Sequence, residues 1–384
     1  MKYQGKVKLL RITTVSSSLR GLLRGQLRYM SGFFETHAAS NPGWELEDLK
    51  AEENTEPHPI SIERAPSPVK DFKSLLKLRS LVSNVKPKIV HTHTPKAGLL
   101  GMIAAYTCRV PVRLHTVAGL PWMESTGKKR KLLMTMERLT YFFATHVYSN
   151  SHALRSFILE NKLIDSAKIS VIGNGSSNGV NTDMFDLNPE LSEKANQLKS
   201  EWGVTGERVI IFVGRLVKDK GIEELLSAFT ELKDEYDVKL LLVGPFEKDR
   251  DPLSGWAEDM IENDPDIITT GFVKDVRPYF AAADLLAFPS YREGFPNVPM
   301  QAGAMGIPSI VTDINGCNEI IKDGENGLII PAKDEKALQG AIECLLQDES
   351  LFKKLVTNTR QMIVERYGQA YLWSLLLKEY RNHL

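Results

Sequence analysis

Two doubly wound α/β domains, each built on a parallel sheet, are the fold that this chain of 384 residues predicts, and three observations predict it. The length exceeds the roughly 100–200 residues that one core usually serves. Short apolar runs alternate along the chain with helical patterns, which marks strand–helix–strand units. A stretch rich in Gly, Asn, Ser and Pro, residues 174–194, separates two such series and leads into the strong apolar run Val209-Ile-Ile-Phe-Val. The expected domains are therefore 1–184 and 185–365, with 366–384 a C-terminal helix packing back on the first domain.

In the first half, strands are expected near Lys8–Thr14, Lys88–Thr92, Val112–Thr116, His146–Ser149 and Lys168–Ile172. The second half should hold strands near Val209–Val213, Lys239–Val243, Ile267–Thr270, Leu285–Pro289, Ser309–Thr312 and Gly327–Ile330. Residues 41–67 are acidic, then proline-containing, and read as a surface excursion around a short strand. Open parallel sheets bind ligands beyond the carboxyl ends of their strands, so two such domains facing each other would share one cleft. Chemistry is expected just after strands.

Composition narrows the class. With 42% hydrophobic and 25% charged residues, the chain is globular rather than disordered. Cys108, Cys317 and Cys344 are odd in number and far apart, which argues against a disulfide framework or zinc cage and for a reducing cytoplasm. The N-terminal MKYQGKVKLLRITTV lacks the long apolar segment of a signal peptide and reads as a first strand. Runs such as Leu240–Val243 fall far short of the roughly 20 residues that a membrane helix needs.

Charge is uneven. Residues 1–184 carry 26 Lys+Arg and 14 Asp+Glu, or +12, leaving 48−26 = 22 and 48−14 = 34, or −12, for the remainder. A basic half fits an anionic partner, whether nucleic acid, a phosphate-bearing substrate or an acidic membrane, although solubility alone would also account for it. Neither a nucleic-acid motif nor an aromatic stacking platform is present, so nucleic acid is set aside. Arg20, Arg24 and Arg28 recur every four residues and would form one basic stripe on a helix beside Leu23 and Leu27. Residues 127–143 join Lys128, Lys129, Arg130 and Lys131 to an amphipathic apolar run. Such segments suit either an interfacial helix on anionic lipid or an ordinary helix with a solvated charged end.

Two segments carry the chemistry. After Val209–Val213, Gly214 permits a tight turn, and Arg215 and Lys220 project from a loop leading to a helix expected to begin near Lys220. An Arg fork with a Lys point charge beside a helix N-terminus can bind a diphosphate, and an exposed loop with solvated charges is the plainer alternative. After Leu285–Pro289 come Ser290, Glu293 and the turn Gly294-Phe295-Pro296-Asn297, then a small-residue helix expected over Met300–Met305. Glu293 is an acceptor suited to sugar hydroxyls, and the amides near Asn297 and Val298 open the helix. Gln301, expected two turns further on, suits ribose hydroxyls. His91 and His93 share a strand face, but no third metal ligand is evident.

In their order, these motifs resemble the retaining glycosyltransferases of family 4, which have the GT-B fold. They are Gly214-Arg215 with Lys220-Gly221, the run Asp284 to Asn297, Gly306 and Pro308 before Thr312-Asp313, Gly316 with Glu319, and Asp323-Gly with Gly327-Leu-Ile. The likeness spans the second half almost continuously. The first half matches more thinly, through Val90-His-Thr-His, Thr116-Val-Ala-Gly-Leu, Ser149-Asn-Ser and the Asn174-Gly175 pair after Ile172.

The resemblance implies that Arg215 and Lys220 neutralise a donor diphosphate and that Glu293 lies beside the donor sugar. It further implies that Phe295, Pro296, Asn297 and Val298 support the sugar and phosphate, while Phe272 and Val273 lie against the base. No metal or other cofactor is implied, because the two cations take over that charge role. The family carries a second glutamate where this chain has Gln301, and a histidine where it has Ala118, so either His115 or His93 would take that histidine's part or a backbone carbonyl would serve. Ser17, in the loop after the first strand, stands where a glycine-rich phosphate loop would. Residues 91–98 and 115–121 are similar to the bacterial surface-polysaccharide branch. That branch implies a UDP-sugar donor, a lipid-linked saccharide acceptor and a cytoplasmic enzyme peripheral on the anionic membrane. A nucleotide-sugar epimerase of the same architecture and a non-catalytic nucleotide-sugar-binding protein are the alternatives.

Overall fold

The computed structural model describes residues 5–63, 67–247 and 251–384; part of the expected excursion over 41–67 lies outside them. The chain divides into two compact units. One holds the chain up to Asn178 together with Gln369–Leu384, and the other spans Gly179–Gly368.

The first unit carries β1 (Lys8–Ile12), β2 (Glu35–Ser40), β3 (Glu56–Pro59), β4 (Ile89–His93), β5 (Val112–Val117), β6 (His146–Ser149) and β7 (Ile169–Val171). They form one sheet in the order β3-β2-β1-β4-β5-β6-β7, and every pairing in it is parallel. Helices cover both faces. On one, the small residues Ala97, Gly98, Gly101, Ala104 and Ala105 bring the helix Pro95–Thr107 close to the strands. On the other, Leu376, Leu377 and Tyr380 of the C-terminal helix Gln369–Asn382 pack on Leu9, Ile89, Val112 and Leu114.

The second unit carries β8 (Arg208–Val213), β9 (Val238–Val243), β10 (Ile267–Gly271), β11 (Leu285–Phe288), β12 (Ser309–Thr312) and β13 (Gly327–Ile330) in the order β10-β9-β8-β11-β12-β13. This sheet is also parallel throughout, and its strands feed one large core. Near-continuous apolar strands such as Val209–Val213 are what a sheet covered on both faces requires.

In both sheets the order reverses beside the first strand, between β1 and β4 and between β8 and β11. Such switch points are where doubly wound sheets open a crevice for ligands. The units part at Asn178/Gly179, six residues before the expected boundary. Val180 and Phe185 already belong to the core of the second unit, and the Val180 amide donates to the Tyr367 carbonyl at 2.9 Å.

Candidate active site

The second unit assembles its site from the two segments flanking the β8/β11 switch point. Beyond β8, the Gly214 amide donates to the Val243 carbonyl and the Leu216 amide to that of Pro245, both at 2.9 Å, so the loop runs beside the extension of β9. Lys218–Lys220 then makes one 3-10 turn and Gly221, at φ +71°, opens the helix Ile222–Lys233. The helix therefore begins two residues after Lys220, close to where it is expected.

Asp219 fastens this loop to the one after β11. Its carbonyl accepts from the Tyr291 amide at 2.9 Å, and its carboxylate from the Arg292 guanidinium at 3.1 Å. Across the seam, Lys220 Nζ donates to Glu293 Oε1 at 2.6 Å, and the buried Ser290 hydroxyl donates to the same oxygen at 3.0 Å. Both side chains of the pair are largely covered, at 14% and 17% exposure. From the loop after β12, the Asn315 side-chain amide reaches the carbonyls of Glu293 and Gly294.

The other cation is also held. Arg215 Nη1 lies 2.7 Å from Glu247 Oε2, with the side chains 42% and 36% exposed. Water screens a pair so exposed, and it contributes about 0–1 kcal/mol at most. Glu247 carries no motif, and only the Leu216–Phe246 bridge that prolongs the β8/β9 pairing brings it opposite Arg215. In this state each of the two cations has its own carboxylate, so the group of four is neutral.

Pro296 caps the helix Asn297–Ala304, which starts three residues earlier than expected because Pro299 sits within its first turn. Gln301 consequently stands one turn into that helix, not two turns beyond the Glu293 loop. Asn297 is exposed, Val298 half-buried, and Phe295 lies 5.6 Å from the Tyr367 ring, centroid to centroid. Phe272 is 76% exposed after β10, while its neighbour Val273 packs on the core.

In the first unit the structure corrects three expectations. Ser17 is not in a loop: the helix Ser16–Leu23 begins one residue before it, and Ser17 is exposed in its first turn. The basic stripe does not exist, because Gly25 at φ +78° breaks the chain between the helices Ser16–Leu23 and Gln26–Ser31. Arg20 instead sits over the Trp44 ring and beside Glu52, and Arg28 donates to the Glu52 carbonyl. His115, expected at the donor sugar, is 2% exposed and turned into the core, with Nδ1 2.8 Å from the Thr92 hydroxyl and its ring against Gly98. So buried, its ring is not presented to a ligand. His93 is buried on the opposite face of the sheet, with Nε2 2.6 Å from Arg11.

Burial holds these histidines neutral. It pushes His115 down to about 4, and His91 and His93 well below the ordinary value, with the Arg11 charge adding to the effect on those two. Unfolded, each takes up a proton near pH 6.5, so stability is full above that value and is lost as pH falls below it. Between pH 7.5 and 5.5 the three together should cost about 4 kcal/mol. Glu137, which burial raises to about 7, acts in the opposite sense and returns about 2 kcal/mol. With the half-buried His58 and His146, which burial also lowers, adding to the loss, urea titrations should show a net loss of at least about 2 kcal/mol at pH 5.5; an equal or higher midpoint there would contradict these charge states.

Among the described residues, no three His, Cys, Asp or Glu side chains are grouped to hold a metal ion, and no helix is long and apolar enough to cross a membrane.

Comparison with known proteins places the chain. Residues 207–348 match the family described as glycosyl transferases group 1, and residues 31–175 match the glycosyl transferase 4-like domain. A capsular polysaccharide biosynthesis glycosyltransferase, CapM of Staphylococcus aureus, is 35% identical over 380 residues, covering 98% of this chain and 97% of that protein. The UDP-Gal:alpha-D-GlcNAc-diphosphoundecaprenol alpha-1,3-galactosyltransferase of Escherichia coli is 30% identical over 309 residues, 78% of this chain and 76% of its own. In fold, the crystal structure of Anabaena HepE in complex with UDP and glucose superimposes with a TM-score of 0.78 at 17% identity, covering 98% of this chain and 99% of that one. With two parallel α/β units of the GT-B type and these relatives, the chain belongs to the family 4 glycosyltransferases and is an enzyme that transfers a glycosyl group.

Proposed function

We propose that this enzyme moves a sugar from a UDP-sugar to a hydroxyl of a lipid-diphosphate-linked saccharide during assembly of a capsule or related surface polysaccharide, with retention of anomeric configuration. The observation that carries the reading is the contact of Lys220 with Glu293 at the second switch point, with Arg215 in the same loop after β8 as Lys220. Support for the acceptor and pathway comes from the relatives, one named for capsule biosynthesis and one for a diphosphoundecaprenol-linked substrate. Support for UDP comes from the same galactosyltransferase and from HepE.

In this reading the diphosphate replaces the carboxylates as the anion facing Arg215 and Lys220. Both cations meet it in the ground state and more strongly as charge develops on the leaving oxygen, which is the interaction that lowers a barrier. In this reading no metal is required, since the two cations would supply the charge that a metal otherwise brings to the leaving group. Glu293, released from Lys220, accepts from donor-sugar hydroxyls. The Gln301 amide bonds the ribose, Phe272 and Val273 flank the base, and the amides of Asn297 and Val298 support sugar and phosphate. The acceptor hydroxyl arrives on the face the diphosphate leaves, so no protein nucleophile intervenes. The exposed side of the helix Gly127–Phe143, with Lys128, Lys129, Lys131, Leu132, Leu139 and Phe142, rests on the anionic cytoplasmic leaflet.

A panel of nucleotide sugars offered with bacterial lipid extract, with and without EDTA, tests this. We expect one UDP-sugar to label a lipid-linked product as the retained anomer, unaffected by EDTA. Labelling only of water-soluble acceptors, or release of free nucleotide and altered sugar without an acceptor, would refute it.

A further inference from the structure

In the first unit, the helix Pro68–Val85 exposes a second apolar row besides the one that it buries. Ser74, Leu78, Val82 and Val85 form the buried side. Leu78 and Val82 join one core with Leu100 of the helix Pro95–Thr107 and Tyr141 of the helix Gly127–Phe143, so the three helices cover the same face of the sheet. Away from that core stand Val69, Phe72 and Leu76, at 70%, 61% and 49% exposure. Spacings of three and four place them in one stripe. Apolar residues scattered singly over a surface are ordinary, whereas a contiguous stripe of bulky ones points to a contact.

Charge selects the partner. Lys70, Lys73 and Lys77 flank the stripe on one side and Arg79 on the other, and all four are exposed. Glu63, before the helix, pairs with Lys70 at 2.5 Å. The one carboxylate of the helix itself, Asp71, is turned instead to Lys96 Nζ, 2.7 Å away on the helix Pro95–Thr107. The exposed arc of the helix is thus apolar and cationic, with no acid on it.

Both properties are confined to one end. Further along the same arc come Ser80, Ser83 and Asn84, all exposed and uncharged. Helices that link parallel strands run back against them, so the apolar end lies at the carboxyl ends of the strands. The ion pair agrees, since Lys96 stands three residues past β4. The crevice between β1 and β4 opens at that same rim. Lys128, Lys129, Arg130 and Lys131, in the opening turns of the helix that follows β5, lie at this end too.

We infer that Val69, Phe72 and Leu76 insert into the surface of an anionic lipid bilayer, with Lys73 and Lys77 against its phosphates. The membrane then meets the first unit at the rim where its crevice opens. This rests on the reading of a lipid-linked acceptor and deepens it, by adding a second contact that fixes which end of the unit faces the bilayer. An interfacial helix buries an apolar stripe among the headgroups while flanking lysines reach up to the phosphates. A carboxylate on that arc would oppose the contact.

Flotation of the full chain with vesicles of phosphatidylglycerol and phosphatidylcholine, against phosphatidylcholine alone, tests the inference. Neither donor nor acceptor is needed, so the outcome does not depend on the transfer reading. We expect binding to the anionic vesicles only. The triple variant Val69→Ser, Phe72→Ser, Leu76→Ser, altered only at exposed positions, should bind at least tenfold more weakly with its circular dichroism unchanged. Lys73→Glu with Lys77→Glu should do the same. Phe72→Trp should be quenched by brominated lipid beyond the level of the parent, which has five tryptophans of its own. A parent that floats with neither vesicle, or a triple variant that binds as tightly as the parent, would overturn the inference. In the latter case, loss of binding in Lys128→Glu, Lys129→Glu, Lys131→Glu would leave the earlier reading standing. A parent dimer that the triple variant dissolves, seen by sedimentation, would also overturn it and assign the stripe to a second copy of the chain.

Discussion

Lys220→Ala should lower sugar transfer at least tenfold, a loss of about 1.4 kcal/mol of transition-state stabilisation or more. The argument starts from burial. Lys220 is largely covered, so its charge acts across a short, poorly screened gap, unlike that of the more exposed Arg215. Removing it strips one of two positive charges from the departing diphosphate and leaves Glu293, among the described residues, with the Ser290 hydroxyl as a side-chain partner. Because leaving-group charge grows towards the transition state, kcat and kcat/KM should fall together rather than KM alone rising. Glu293→Ala should show a loss of similar size. The two side chains touch, so the double variant should lose less than the sum of the single losses. Initial rates with saturating acceptor, with circular dichroism to show that each variant is folded, provide the measurement. Near-normal turnover in both single variants would mean that the donor is held elsewhere.

How much of this site could be read from the amino-acid sequence depends on how local each feature is. Glu293 and Lys220 were legible because each follows a strand whose apolar run is unmistakable and lies in a loop ordered by Gly and Pro. Glu247 was not, because its meeting with Arg215 depends on how far two neighbouring strands continue past their last paired residues. β2 was passed over for a related reason. Its run Glu-Thr-His-Ala-Ala-Ser is poor in β-branched and aromatic residues, and it is a strand because β1 and β3 pair with it on either side.

His115 shows the opposite error, in which a local signal was trusted too far. Parallel register sets it beside Thr92, between His91 and His93 on β4, so alternation turns it to the face opposite theirs, under the helix Pro95–Thr107. The arginine stripe failed at a single residue. A repeat of four assumes an unbroken helix, and Gly25 in the left-handed region ends one helix and starts another.

Gly221→Ala should destabilise the second unit by about 2–4 kcal/mol and weaken nucleotide binding by a larger factor than the fold alone would suggest. Two effects add. At φ +71° an alanine enters the left-handed region, at a cost of about 1–2 kcal/mol. Its Cβ would also stand 2.2 Å from the Pro289 carbonyl oxygen, a backbone atom that no rotamer change can move aside. Relief requires the loop carrying Lys220 to retreat from the segment leading into Ser290 and Glu293. That movement breaks the seam at the Tyr291 amide and the Asp219 carbonyl, and with it the 2.6 Å contact of Lys220 with Glu293. Gly206→Ala is the matching control, since Gly206 lies in the same unit with open space around its Cα and no positive φ. Urea titration and calorimetric binding of UDP should separate the two variants. A Gly221→Ala protein as stable as the control, binding nucleotide equally well, would show that the two loops are not braced against each other at this glycine.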